Sequence, residues 1–217
     1  MFLTMTTYLP LGYEMKIKFS IKGVAMKKLM LSLVLLTAFA ITIMNAQKTI
    51  PLNLERMVRD AGVIVSATVV KTETGRDSQT GLLTTWITLD VSENFFGANG
   101  KQITFKQYGG EADGEAFYPM DIPQYKKDEQ VILFLTKPSS IGMQSPVGMQ
   151  QGKFIAQGDF SNNSARVKNM RMNPALFEQV QLEDNIAEGL KKSYKNDGSL
   201  NYVQFAQSIR SLVQQIK

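Results

Sequence analysis

Four stretches rich in β-branched and aromatic residues, separated by polar turns, constrain this chain more than any other feature. "GVIVSATVVKT", residues 62–72, places Val63, Val65, Ala67 and Val69 on one parity, the period-two spacing of a strand, and its β-branched density reads as largely buried. "TTWITLDVSE", residues 84–93, puts Ile87, Leu89 and Val91 on one face and Thr88, Asp90 and Ser92 on the other, so one side of that strand is wet. The polar "TGRDSQTG" between them predicts an antiparallel hairpin. "KQITFKQY", residues 101–108, opposes Lys106 to Ile103 and Phe105, and the unbroken "QVILFLT", residues 130–136, reads as a central strand. "GKFIAQG" and "ARVKNM" supply two shorter strands around the turn-rich "DFSNNS". Five or six antiparallel strands predict a mainly β fold, a small OB-like barrel.

The pattern changes at Asn173, so residues 47–172 read as the barrel domain and 173–217 as a helical C-terminal pair. Asn173 is the candidate cap of the first helix, Pro174 its first residue, and Leu176, Val180, Ile186 and Leu190 fall at helical spacings. The second helix starts with a capping-box-like Asn201 and Gln204 and carries Phe205, Ile209, Leu212 and Ile216 on one face. That face packs on the barrel or on another chain; spacing does not choose between them.

Ahead of the strands, "MKKLMLSLVLLTAFAITIMNA", residues 26–46, has the layout of a secretory signal peptide, with Lys27 and Lys28 before an apolar run and the small Ala46 at its end. The run is shorter than the roughly 20 residues that cross a bilayer. Met44 is large for a cleavage motif, which keeps an uncleaved anchor as the alternative, the only membrane attachment the sequence offers. Residues 1–25 lack a coherent pattern and read as an upstream start. Setting residues 1–46 aside, with their five lysines and one acid, the 24 basic and 19 acidic residues of the whole chain fall to 19 and 18. This balance offers no electrostatic case for nucleic acid. The expectation is a secreted or periplasmic bacterial protein.

The chain contains neither Cys nor His, which removes Ser-His-Asp and Cys-His nucleophiles, histidine bases and ordinary zinc sites. A non-enzymatic role follows as the expectation. Calcium is the one candidate ion. In "QYGGEADGEAFYPM", residues 107–120, Glu111, Asp113 and Glu115 alternate with small residues, and Asp121 follows closely; carboxylates of this kind suit a hard cation. The other reading is a solvated connection with turns at Gly109, Gly110 and Gly114, and a third is a catalytic carboxylate pair. "SYKNDGSLNYVQF" echoes half of an EF-hand loop, but Lys195 and Gln204 stand where ligands belong, and a helix-to-helix turn at Gly198 is the alternative. Trp86, Phe95 and Phe96 are candidates for stacking on a ligand or for the core. "SSIGMQSPVGMQQG", residues 139–152, is an adaptable contact loop or an ordinary surface connection. Asn162, Asn163 and Ser164 match a glycosylation sequon.

At "RDAGVIVSATVVKTETG" and "WITLDVSENFFGANGKQITFKQYGG", continuing through "PQYKKDEQVILFL" and "GMQQGKF", the chain resembles a family of uncharacterised bacterial secreted proteins, over roughly Leu52 to Ile155. More distantly it is similar to the OB-like barrels of netrin modules and tissue inhibitors of metalloproteinases. The resemblance implies a barrel; the expected partner, for an exported binding module, is another exported or cell-surface protein. The inhibitors act through an amino-terminal cysteine, which this chain lacks.

Overall fold

The computed structural model describes residues 2–8, 14–20, 50–158, 165–182 and 184–217, with backbone alone for 2–8, 14–20 and 184–187. The leader at 26–46, its cleavage point and the sequon at 162–164 lie outside the described residues. The chain divides into Met1–Thr49 and Ile50–Lys217. In the first unit β1 (Phe2–Tyr8) pairs antiparallel with β2 (Glu14–Ser20), opposing Leu3 to Phe19 and Met5 to Ile17. The sequence reading finds no pattern there.

The second unit is mainly β. It contains α1 (Leu54–Asp60), β3 (Val63–Arg76), β4 (Leu83–Phe96), β5 (Gln102–Tyr108), β6 (Gly110–Ala112), β7 (Glu115–Phe117), β8 (Gln130–Leu135), β9 (Lys153–Gln157), β10 (Arg166–Asn169), α2 (Asp184–Asp197), β11 (Ser199–Asn201) and α3 (Tyr202–Ile216). Seven strands form one antiparallel sheet in the order β11, β10, β9, β8, β3, β4, β5. This ladder is open, with β5 and β11 at its ends, where the sequence reading expects a closed barrel. The expected first hairpin is present, but β3 runs on to Arg76, leaving a loop of only Asp77 to Leu82. Register shifts at Ile64/Val65, Ser66/Ala67 and Val69/Lys71 bend the β3–β4 ribbon, as bulges do.

The central strands are buried on both faces, and this explains their unbroken apolar runs. Ile64, Ile132 and Phe134 face one cluster with Leu54, Met57 and Val58 of α1, Leu190 and Tyr194 of α2, and Phe205, Ile209 and Leu212 of α3. Val65, Ala67, Val69, Val131, Leu133 and Leu135 face the other, against Ile87, Leu89, Phe105 and Tyr125. The helical tail therefore covers the sheet, with Ile216 at the cluster's edge. No helix among the described residues is long and apolar enough to cross a membrane.

Helix α3 begins as the residue pattern predicts, with the Asn201 side chain accepting the Gln204 N–H at 3.1 Å. The first tail helix does not. Asn173 is buried, its side chain accepts the Ala175 N–H, and its amide donates to Leu52 O and to Gln151 Oε1 at 3.0 Å. Turns follow as Leu176 N–H and Glu178 N–H bond back to Asn173 O and Ala175 O, and helix α2 starts only at Asp184. An Asn-Pro pair resembles a cap, but here the asparagine is occupied in tying the amino-terminal arm to the body. Leu176, Val180 and Leu190 are buried as expected; the Ile186 side chain is outside the described residues.

Candidate functional site

Between β5 and β8 the chain runs through the acidic stretch, and its geometry starts from an Asp-Gly pair. Asp113 and Gly114 have φ of 55° and 79°, the left-handed pair required by the tightest hairpin turn. They join β6 to β7 in a ribbon that pairs Glu111 with Ala116 and Ala112 with Glu115. Gly109 anchors its base. The Gly109 N–H donates to Leu83 O at 2.8 Å and Thr85 Oγ1 donates to Gly109 O at 2.7 Å. A Cβ there would lie 2.6 Å from Pro119 Cδ, and φ is 101°, so only glycine fits.

The acids proposed for calcium separate into different pairings. Arg76 Nε donates to Asp113 Oδ2 at 3.1 Å, and Arg76 Nη2 donates to Glu115 Oε2 at 2.5 Å; the two carboxylates hold the guanidinium pKa above its usual value. Asp121, at φ 68°, pairs with Arg171 at 2.7 Å. Glu111 lies exposed on β6. Among the described residues no three acids gather into a group that could hold a metal ion. Arg76 thus braces the hairpin tip while the pairs stay solvent-screened.

Beyond the tip, the ribbon exposes large apolar side chains. Phe117 is 47% exposed and lies 5.5 Å, centroid to centroid, from half-exposed Tyr108, while Tyr118 is 44% and Met120 79% exposed. Met170 and Met172, exposed at 68% and 58%, flank Arg171, the partner of Asp121.

A cleft of about 340 Å³ opens where this connection ends, lined by Pro123, Lys126, Glu129, Lys153, Ile155 and Met170 among others. Lys153 is buried within it. Its ammonium donates to Gln124 O at 2.6 Å and Glu129 Oε2 at 2.7 Å and sits 4.4 Å from the centroid of the Tyr125 ring. Burial lowers the lysine pKa, and Glu129 opposes that shift. Burial, and then Glu129, push the Tyr125 phenol well above its ordinary value; its hydroxyl has no partner among the described residues. With two oxygens and a ring around its ammonium, the lysine is a pin holding the end of the connection to β9. Nothing in the sequence pattern marks Lys153, which occupies an ordinary position at the start of a strand.

A second pin joins the other loops. Asp77, 5% exposed, accepts the Thr80 N–H and hydroxyl on Oδ1 and the Lys106 ammonium at 2.8 Å on Oδ2. Chiefly through Lys106, against desolvation and with help from Thr80, its pKa falls from 3.8 to about 2. A depressed carboxylate gives stability that is present above the unfolded value and lost as pH falls. Denaturant unfolding of the protein and of Asp77→Asn is therefore expected to differ at neutral pH and to converge as pH drops from about 4 to about 2; a gap unchanged across that window would exclude this role.

The remaining candidates are structural in their surroundings. Phe95 and Phe96 pack against the helical cluster, with Arg210 and Lys217 over their rings. Trp86 is half-buried over Gly75. Asp197 accepts the Ser199 N–H and hydroxyl after Gly198, at φ 71°, ends helix α2, so the EF-hand echo is a turn between two helices through β11. In the Met-rich loop, Gln151 is buried, accepting the Leu52 N–H and donating to Ile50 O, while Ile141 and Met149 stay exposed.

Comparison with protein-family models, with curated protein sequences and with solved structures finds no match to this chain.

Proposed function

We propose that this chain is an exported, non-enzymatic protein-binding module built on an OB-like barrel. Support for the barrel comes from residues 143–147, which carry little strand pattern. Gln144 N–H donates to Lys106 O on β5 at 2.8 Å, while Thr136 N–H donates to Ser145 O and Val147 N–H to Phe134 O at 2.9 and 2.7 Å on the β8 side. These bonds support a barrel in which this segment would join β5 to β8 and so bring β3, β4, β5 and β8 around one apolar interior.

The observation that carries the binding reading is the exposed run of Phe117, Tyr118 and Met120 on an arginine-braced hairpin. Aromatic and methionine side chains are the types enriched at interface centres, and a preformed ribbon loses little entropy on docking. Its partner would be another exported or cell-surface protein, a secreted protease being the sharpest form. The acids at the tip leave a calcium-dependent envelope or adhesion role as the second reading, in which a cation would have to displace Arg76 from Asp113 and Glu115, while Asp121 stays in its separate pair with Arg171.

Affinity capture from native envelope or culture fluid tests both. The immobilised protein is expected to retain one partner with or without calcium, and Phe117→Ser combined with Tyr118→Ser and Met120→Ser to weaken capture about tenfold or more. Equal capture by the triple variant would sink the hairpin as the contact surface. Capture only in the presence of calcium would move the assignment to the second reading, and inhibition of a captured protease would specify the first.

A further inference from the structure

We propose that an open seam along β5 receives an extended acidic segment of a partner protein as an added strand. This seat is separate from the exposed hairpin. Immediately before β5 the carbonyl of Lys101 faces β4, accepting the Val91 N–H at 2.7 Å, whereas within β5 the carbonyl of Lys106 faces outward to Gln144. Alternation along an antiparallel strand therefore turns the N–H and C=O groups of Gln102 and Thr104 outward too. Among the described residues the chain pairs with this outer edge at Lys106, through the bridge to Met143, and no segment pairs with it at Gln102 or Thr104. The preceding residues curl away instead, as Gly142 N–H bonds back to Ser139 O and Ser139 N–H donates to Met143 O. About 10 Å of strand edge, three residues long, stays open at the usual rise.

The edge borders an open groove. A cleft of about 330 Å³ lies beside it, lined by Val63, Gln102, Ile103, Phe105, Leu135 and Gln144 among others. An added strand would lay alternate side chains onto Ile103, Val63 and Leu135 while its backbone met Gln102 and Thr104, the pattern of strand addition. The turn at Gly97 closes one end: its φ is 74° and a Cβ there would stand 2.1 Å from Gly62 O, so that end of the slot is held against the start of β3.

Charge selects the occupant. Exposed Lys101 adjoins Gln102, and exposed Lys137 packs against Gly62, next to Val63. Neither is in a salt bridge among the described residues. Lys217 adds a third cation through its hold on the carbonyls of Arg59 and Ala61. Of the nearby acids, Asp60 is held by Arg56 at 2.9 Å, and Asp90 stands opposite Gln102 in the ladder. The surplus is positive, so an acidic strand fits and a basic one is repelled.

The test uses a blocked octapeptide of alternating valine and glutamate, with a valine–lysine peptide as control, titrated into the isotope-labelled protein. Saturable amide shifts and slowed hydrogen exchange at Gln102 and Thr104 are expected with the acidic peptide alone. Lys101→Glu combined with Lys137→Glu should weaken that binding about tenfold or more. Thr104→Pro should abolish it, since proline at an outward edge position removes a donor that β4 does not use, and the charge variant carries the test should the proline disturb folding. The hairpin triple variant should bind the peptide normally, separating this seat from the other surface. No saturable response at roughly millimolar peptide, the weakest binding expected of so short an edge, would overturn the proposal. So would equal binding of both peptides or shifts confined to Phe117 and its neighbours.

Discussion

Phe205→Ala is expected to cost about 3–5 kcal/mol, the range for emptying a fully buried phenylalanine site. Phe205 has no solvent exposure and its ring centroid lies 4.8 Å from that of Phe154, which in turn meets Phe134 at 6.0 Å. One aromatic line thus runs from the tail helix through β9 to β8. The polar fastening of the same helix is weaker. Arg210 donates twice to Glu93, at 2.6 and 2.9 Å, but both side chains are partly exposed, and such a pair contributes on the order of 1 kcal/mol or less. Urea unfolding should therefore show Arg210→Ala close to the parent and Phe205→Ala far below it, in one cooperative transition. Separate transitions for helix and sheet would mean that the helical tail is an independent module, and the shared apolar cluster would then carry far less than its burial implies.

The strands and the face of α3 were legible because their information is local. Val65, Ala67 and Val69 declare a buried face by parity, and Phe205, Ile209 and Leu212 declare one by helical spacing. The Asp113-Gly114 pair is an equally local hairpin signal, but the sequence reading goes no further than a solvated connection with glycine turns, calcium being its alternative. What each acid meets was not legible: Arg76 is 37 residues from Asp113, and no local pattern marks such a pair. Asn173 misled for the opposite reason, since its local context imitates a helix start while its side chain is spent on Leu52 and Gln151 across the fold. Lys153 and Asp77 look like solvated charges until tertiary structure buries them. Residues 143–147, "MQSPV", have no β periodicity and bond to β5 and β8 through isolated bridges. The candidate surfaces share this property, because each joins segments that are individually ordinary.

Lys153→Met should be the most damaging single change near the proposed contact surface. The lysine side chain is 3% exposed and that of its partner Glu129 13%, so methionine would fill the stem's volume while leaving a nearly buried carboxylate without its cation. Breaking such a pair from one side costs about 3–5 kcal/mol, whereas replacing both members with apolar residues is often close to neutral. Lys153→Met combined with Glu129→Leu is accordingly expected to recover most of the loss in urea unfolding. A single variant within about 1 kcal/mol of the parent would instead place the pair among solvent-screened contacts. The consequence reaches function through Gln124, whose carbonyl accepts the same ammonium at 2.6 Å. The segment from Pro119 to Gln124 runs directly from the exposed Tyr118 and Met120 to that bond, so releasing it loosens one end of the hairpin connection, which Gln107 Nε2 still holds at Pro123 O at 3.1 Å. Partner capture by the folded double variant should then fall below that of the parent even where stability is restored, since the apolar side chains remain but their support from β9 is gone.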